Sequence, residues 1–151
     1  RRQRQMCIRD RYGCEAWTLM KEEKDRLNAA EMWFYRRLLR VSWKDMRTNE
    51  SILEELSTNR VLMQQINRRK MRYLGHAVRN PKTNFMATIL QVRVEGKRNR
   101  GRPQTLYMDN VTAISGLTLA GVMHRSRDRE HWRTVVARSE AATDDYGDAD
   151  R

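Results

Sequence analysis

The side chains in this sequence most able to do chemistry are its arginines. Between positions 60 and 102 stand twelve cations against one acid, Glu95, which accounts for +11 of the chain's formal net charge of +12. Part of this density lies in RRKMRYLGHAVR, which holds Arg68, Arg69, Lys70, Arg72 and Arg79 together with His76. Another part lies in GKRNRGRP, which holds Lys97, Arg98, Arg100 and Arg102. A guanidinium presents a planar fork of donors that matches two phosphate oxygens, and a segment rich in cations and nearly free of carboxylates attracts a polyanion. In the second segment Asn99 and Gly101 separate successive arginines, which lets the backbone run close to a phosphate chain. The chemistry implied is recognition of RNA or DNA, with a merely solubilising face as the bland alternative. His76 could donate to a phosphate or stack on a base, and equally could satisfy a carbonyl at its helix end.

Bond-breaking chemistry has no comparable support. There is no GxSxG elbow, and no Ser or Cys in a context that supplies a base and an orienter. Asp144 and Asp145 are adjacent, but they lie in an acidic tail without the apolar strands that would hold two carboxylates at one metal ion. Cys7, Cys14, His76, His124 and His131 lack the paired spacings of a zinc site, so neither metal nor cofactor is expected in this chain. Two cysteines are too few for a disulfide framework and suit free thiols in a reducing compartment. The tryptophans Trp17, Trp33, Trp43 and Trp132 read as core anchors rather than base-stacking platforms.

Helices must position these groups. Beyond Thr18, a candidate N-cap, Leu19, Ala30, Phe34, Leu38 and Val41 fall close to one helical face, predicting the longest helix. Asn49 can cap a short helix with Ile52, Leu53 and Leu56. Thr58 can cap another running to Arg79, with Leu62, Ile66, Tyr73 and Leu74 inward and Arg68, Arg69, Arg72 and Arg79 outward. Asn80-Pro81 breaks it, and positions 89–94 are β-branched enough for a short strand or extended segment before the GKRNRGRP loop. A helix from Gln104 to Ser115 follows, with Leu106, Val111 and Ile114 inward and Gly116 as its stop. Thr118 and Asp128 can then cap two more, the last placing Trp132, Val135 and Val136 in the core. The expected fold is mainly α, a small helical domain with one core and a basic extended loop or short β segment. Its limits are 13–138, with the basic segment at 60–103, between a disordered leader at 1–12 and a disordered acidic tail at 139–151.

Five landmarks occur in order: YGCEAWTL, EMWFYRRLLRVSWKD, RRKMRYLGHAVR, EGKRNRGRPQTLYMDN and DREHWR. Together they resemble the C-terminal region of non-LTR retrotransposon polyproteins of the RTE type, LINE-like endonuclease-reverse transcriptases. The similarity covers positions 12–137. Gln104 and Tyr107 depart from it, standing where an Arg or Lys and a Trp are common. In that family an endonuclease and a polymerase with paired metal-binding aspartates precede this region. The resemblance therefore assigns Mg2+ and polymerisation to upstream domains, and the polymerase's F-A-D-D signature is nowhere in this chain.

The function so implied is to grip template RNA or target DNA during target-primed reverse transcription, with the nucleic acid and the upstream polymerase domains as partners. Arg68, Arg69, Lys70, Arg72, His76, Arg79, Lys97, Arg98, Arg100 and Arg102 are the expected contacts. Two other classes fit the sequence: a helical module packing on the polymerase thumb, and a fragment of a decayed element without function of its own. No run approaches the ~20 apolar residues that span a bilayer, and the expected location is intracellular, in nucleus and cytoplasm by resemblance.

Overall fold

The computed structural model describes residues 13–80, 88, 90 and 105–141, and these are mainly helical. The α-helices are α1 (Lys21–Leu38), α2 (Asn49–Glu55), α3 (Leu62–Arg79), α4 (Tyr107–Ser115), α5 (Leu119–Arg127) and α6 (Arg129–Ala141). Two 3-10 turns, Cys14–Ala16 and Trp43–Asp45, accompany them. Instead of one core there are two compact units, Leu19–Gln65 and a second drawn from residues up to Thr18 and from Ile66 onward.

In the Leu19–Gln65 unit, α1 begins at Lys21, later than the Thr18 cap predicts, and the Met20 N–H donates to the Glu23 carboxylate at 2.8 Å. Its inward face also differs from the expected one. Glu31 and Met32 are buried, whereas Ala30 and Leu38 are exposed. The reason is polar. Glu31 Oε1 accepts the backbone N–H groups of Val61 and Leu62, each at 2.9 Å, and the Tyr35 hydroxyl at 2.9 Å. A helix start leaves its first N–H groups without intrahelical partners. Here a carboxylate thirty residues away in sequence takes the capping role expected of Thr58. The Thr48 hydroxyl accepts the Ser51 N–H at 3.3 Å and so caps α2 one residue ahead of the predicted Asn49. Arg40, Met46 and Ser57 adopt left-handed backbone (φ 56°, 48° and 48°), which costs a non-glycine residue of order 1 kcal/mol each.

The other unit has the larger core. Met71 and Leu74 from α3, Val111 from α4, Val122 from α5 and Trp132 and Val136 from α6 meet in its interior, with Tyr107 and Leu90 packed against them. Fully burying such side chains contributes about 1.5–3 kcal/mol each. The local signals act as the residue types require. Gly116 ends α4 at φ 65°, the Thr118 hydroxyl accepts the Gly121 N–H at 3.2 Å to cap α5, and Asp128 accepts the N–H groups of Glu130 and His131 to cap α6. α6 runs to Ala141, three residues into the segment expected to be an unstructured tail, and buried Ser139 donates to the Val136 carbonyl at 2.7 Å. Leu90, expected in a strand or extended segment, is helical, and its side chain is taken up by the core. Positions 89 and 91–94, the GKRNRGRP loop, the leader at 1–12 and the tail at 142–151 lie outside the described residues. Leu106, expected inward, is exposed, because α4 starts after it and turns Met108 and Val111 to the core.

Candidate nucleic-acid interface

Along α3, positions 68, 72, 75 and 79 follow a 4–3–4 spacing, which puts them in one stripe of a 3.6-residue helix. Along α6, positions 129, 132, 133 and 136 stand at i, i+3, i+4 and i+7, which also puts them on one face. The two stripes face each other at Gly75. A Cβ there would lie 2.3 Å from both Cδ1 and Nε1 of Trp132, so only a glycine lets the indole approach the α3 backbone this closely. Trp132 is 3% exposed, and its Nε1 donates to the Met71 carbonyl at 2.9 Å, which locks the ring against α3.

Beside this contact runs an open groove of about 340 Å³. Arg68, Arg72 and Arg79 of α3 and Arg129 and Arg133 of α6 line it, with Trp132, Val136 and Ala137. Five guanidinium groups at one concave surface focus a positive potential there. Their engagements differ. Arg79 donates to the Ser126 carbonyl at 2.7 Å, one of the last carbonyls of α5, and so anchors that helix end as well as bounding the groove. Burial and then the neighbouring Arg129 guanidinium pull its pKa below the ordinary arginine value, yet an arginine stays charged at any physiological pH. Arg133 reaches Glu130 at 3.3 Å in an exposed pair worth little in water. Arg68, Arg72 and Arg129 are exposed. The indole of Trp132 is locked by its own hydrogen bond, so the groove offers charge and not a stacking surface.

The predicted contacts separate on this geometry. Arg68, Arg72 and Arg79 come together in the groove, while Arg69 and His76 are exposed on α3 outside it. Arg69 lies near Cys14: burial raises that thiol's pKa, and a hydrogen bond with Arg69 partly opposes the rise. Lys70 must be corrected. It is 1% exposed, its Nζ donates to Asn110 Oδ1 at 3.2 Å and lies 5.3 Å from the Tyr107 ring centroid, so it stitches α3 to α4 and presents nothing to a ligand. Its position two residues after Arg68 turns it about 200° round the helix, onto the core side. Lys97, Arg98, Arg100 and Arg102 lie outside the described residues. Arg129 and Arg133 were missed from sequence, although their i, i+4 spacing in DREHWR, flanking a core tryptophan, is a readable signal.

The tryptophans also divide. Trp132 is a core anchor as expected, whereas Trp33 is 52% and Trp43 78% exposed, against expectation. Trp33 lies about 100° round α1 from buried Met32 and so leaves the buried face, and Trp43 opens a turn whose residues are all exposed. Among the described residues no group of three His, Cys, Asp or Glu side chains could hold a metal ion, and no helix is long and apolar enough to cross a membrane. No family model matches the chain, and no curated protein or solved structure matches it.

Proposed function

We propose that this chain is a nucleic-acid-binding segment that holds a phosphate backbone in the α3–α6 groove, without a polymerase or endonuclease site of its own. The observation that carries the reading is the meeting of five arginines, contributed by two segments about fifty to sixty-five residues apart, at one concave surface. The resemblance to retrotransposon C-terminal regions gives that grip a setting. There the strand would be template RNA or nicked target DNA, held while upstream polymerase domains copy RNA into DNA. Because the groove offers guanidinium groups and no free ring, it reads charge and not base sequence.

The test is binding of the whole chain to labelled nicked duplex DNA and single-stranded RNA across a salt series. If the groove engages four or five phosphates, log K falls with a slope of about −3.5 to −4.5 against log salt on duplex from this site alone. Arg68→Ala/Arg72→Ala should flatten the measured slope by nearly 2. An unchanged slope and affinity would remove the groove as the site. Parallel substitution of Arg98, Arg100 and Arg102 measures the contribution of the basic loop.

A further inference from the structure

We infer that residues 33–47, in the Leu19–Gln65 unit, form a stacking platform for the bases of a single strand, with Trp43 and Trp33 as its rings and Arg37, Arg40 and Lys44 as its cations. The inference rests on the nucleic-acid reading proposed above and adds the kind of strand and a second mode of contact. Both rings are in water, Trp33 against neighbouring side chains and Trp43 on a turn whose backbone is tied. Trp33, in the second-to-last turn of α1, meets Phe34 edge to face at 5.1 Å, and the Arg37 guanidinium lies 5.3 Å from a Trp33 ring centroid. Trp43 opens a turn tied at its base: Asp45 accepts the Ser42 N–H at 2.6 Å, and the Ser42 hydroxyl accepts the Lys44 N–H at 3.4 Å. Left-handed residues, Arg40 and Met46, bracket that turn, so the chain accepts backbone strain on both sides of an exposed indole.

Charge selects the occupant. Across residues 33–47 five cations stand against Asp45 alone, and Asp45 is engaged by the backbone of its own turn. Arg37, Arg40 and Lys44 are exposed. Rings interleaved with cations fit a chain that alternates flat bases with phosphates, whereas a purely apolar partner would leave the cations to be desolvated. A duplex keeps its bases stacked inside, so this surface discriminates for single strands.

The experiment compares a labelled oligouridylate with a blunt DNA duplex, using the full chain and its Trp43→Ala, Trp43→Phe and Arg68→Ala/Arg72→Ala variants. Trp43→Ala should weaken oligouridylate binding about tenfold and reduce the quenching of tryptophan emission by the unlabelled strand. Duplex affinity should not change, and Trp43→Phe, which keeps a ring, should retain most of the binding. The proposal is overturned if Trp43→Ala binds oligouridylate like the parent, or loses single strand and duplex equally. It is also overturned if Trp43→Ala abolishes self-association while leaving oligouridylate binding intact, which would make the face a protein-docking surface. A failure here with the double arginine variant still weakened leaves the groove standing, and absence of binding by the parent chain to either probe removes both.

Discussion

Gly75→Ala is the sharpest test of how the groove is built. In most helix interiors this change stabilises by about 1 kcal/mol, because alanine has the better helix propensity. Here the added Cβ would lie 2.3 Å from two atoms of Trp132, more than an ångström inside ordinary contact, and the indole cannot yield freely. It is buried among Leu74, Val135 and Val136, and moving it breaks the bond from Nε1 to the Met71 carbonyl. Overpacking a core costs about 1–3 kcal/mol, and stranding a buried donor costs a further 1–3. Set against the propensity gain, the net destabilisation should be about 3 kcal/mol. With a urea dependence of about 2 kcal/mol per molar, the denaturation midpoint followed by circular dichroism falls by about 1.5 M. In a double-mutant cycle Trp132→Phe, which removes the clashing five-membered ring, should make the added methyl less costly. A Gly75→Ala protein as stable as its parent would refute the packing argument and, with it, the account of why the two arginine stripes face each other.

Three other outcomes follow from the described geometry. Glu31→Gln keeps a carbonyl oxygen for Val61, Leu62 and Tyr35 and should stay close to the parent in stability, while Glu31→Ala should lose about 2 kcal/mol in urea denaturation; equal losses would deny the capping role. Lys70→Met keeps the shape of the chain but takes the donor away from buried Asn110 Oδ1, so stability should fall by about 1–2 kcal/mol, while the salt slope of nucleic-acid binding should not move; a slope reduced by one phosphate contact would put Lys70 back on the interface. Burial raises the pKa of both the Cys14 thiol and the Tyr107 phenol, so the folded chain holds these protons more tightly than the unfolded chain does. Their contribution is intact below the ordinary thiol value of 9.0 and is lost as pH rises beyond it, which predicts a urea midpoint that falls above about pH 9. Tyr107→Phe, which also deletes a buried hydroxyl with no hydrogen-bond partner, should soften that fall.

The helices were readable where the signal is local. Gly116, Thr118 and Asp128 act within one turn of themselves, and the periodicity of Trp132, Val135 and Val136 reports a face that one helix decides. The misreadings have tertiary causes. Nothing local to α1 marks Glu31 for burial, because the N–H groups that draw it inward belong to positions 61 and 62. Lys70 looked like its arginine neighbours until Asn110 and Tyr107 met it from α4. For the candidate site, the α3 arginines were legible from charge alone. Arg129 and Arg133 were not, since only the Gly75–Trp132 contact makes them neighbours of Arg68 and Arg72. The exposure of Trp43 had no sequence signature beyond the polar residues around it.

The order of the two units along the chain bears on how the molecule is made. The Leu19–Gln65 unit is continuous and emerges whole from a ribosome, whereas its companion needs residues near Cys14 together with segments that follow position 66. Buried Cys14 and its hydrogen-bonded neighbour Arg69 thus close a loop that contains the continuous unit. A loop already collapsed into helices has far fewer conformations to give up than a free chain of that length. Synthesis in this order lets the early unit shorten the search of the late one. Circular relocation of the ends into the 19–65 segment would remove that advantage, slowing refolding while leaving the final contacts in place.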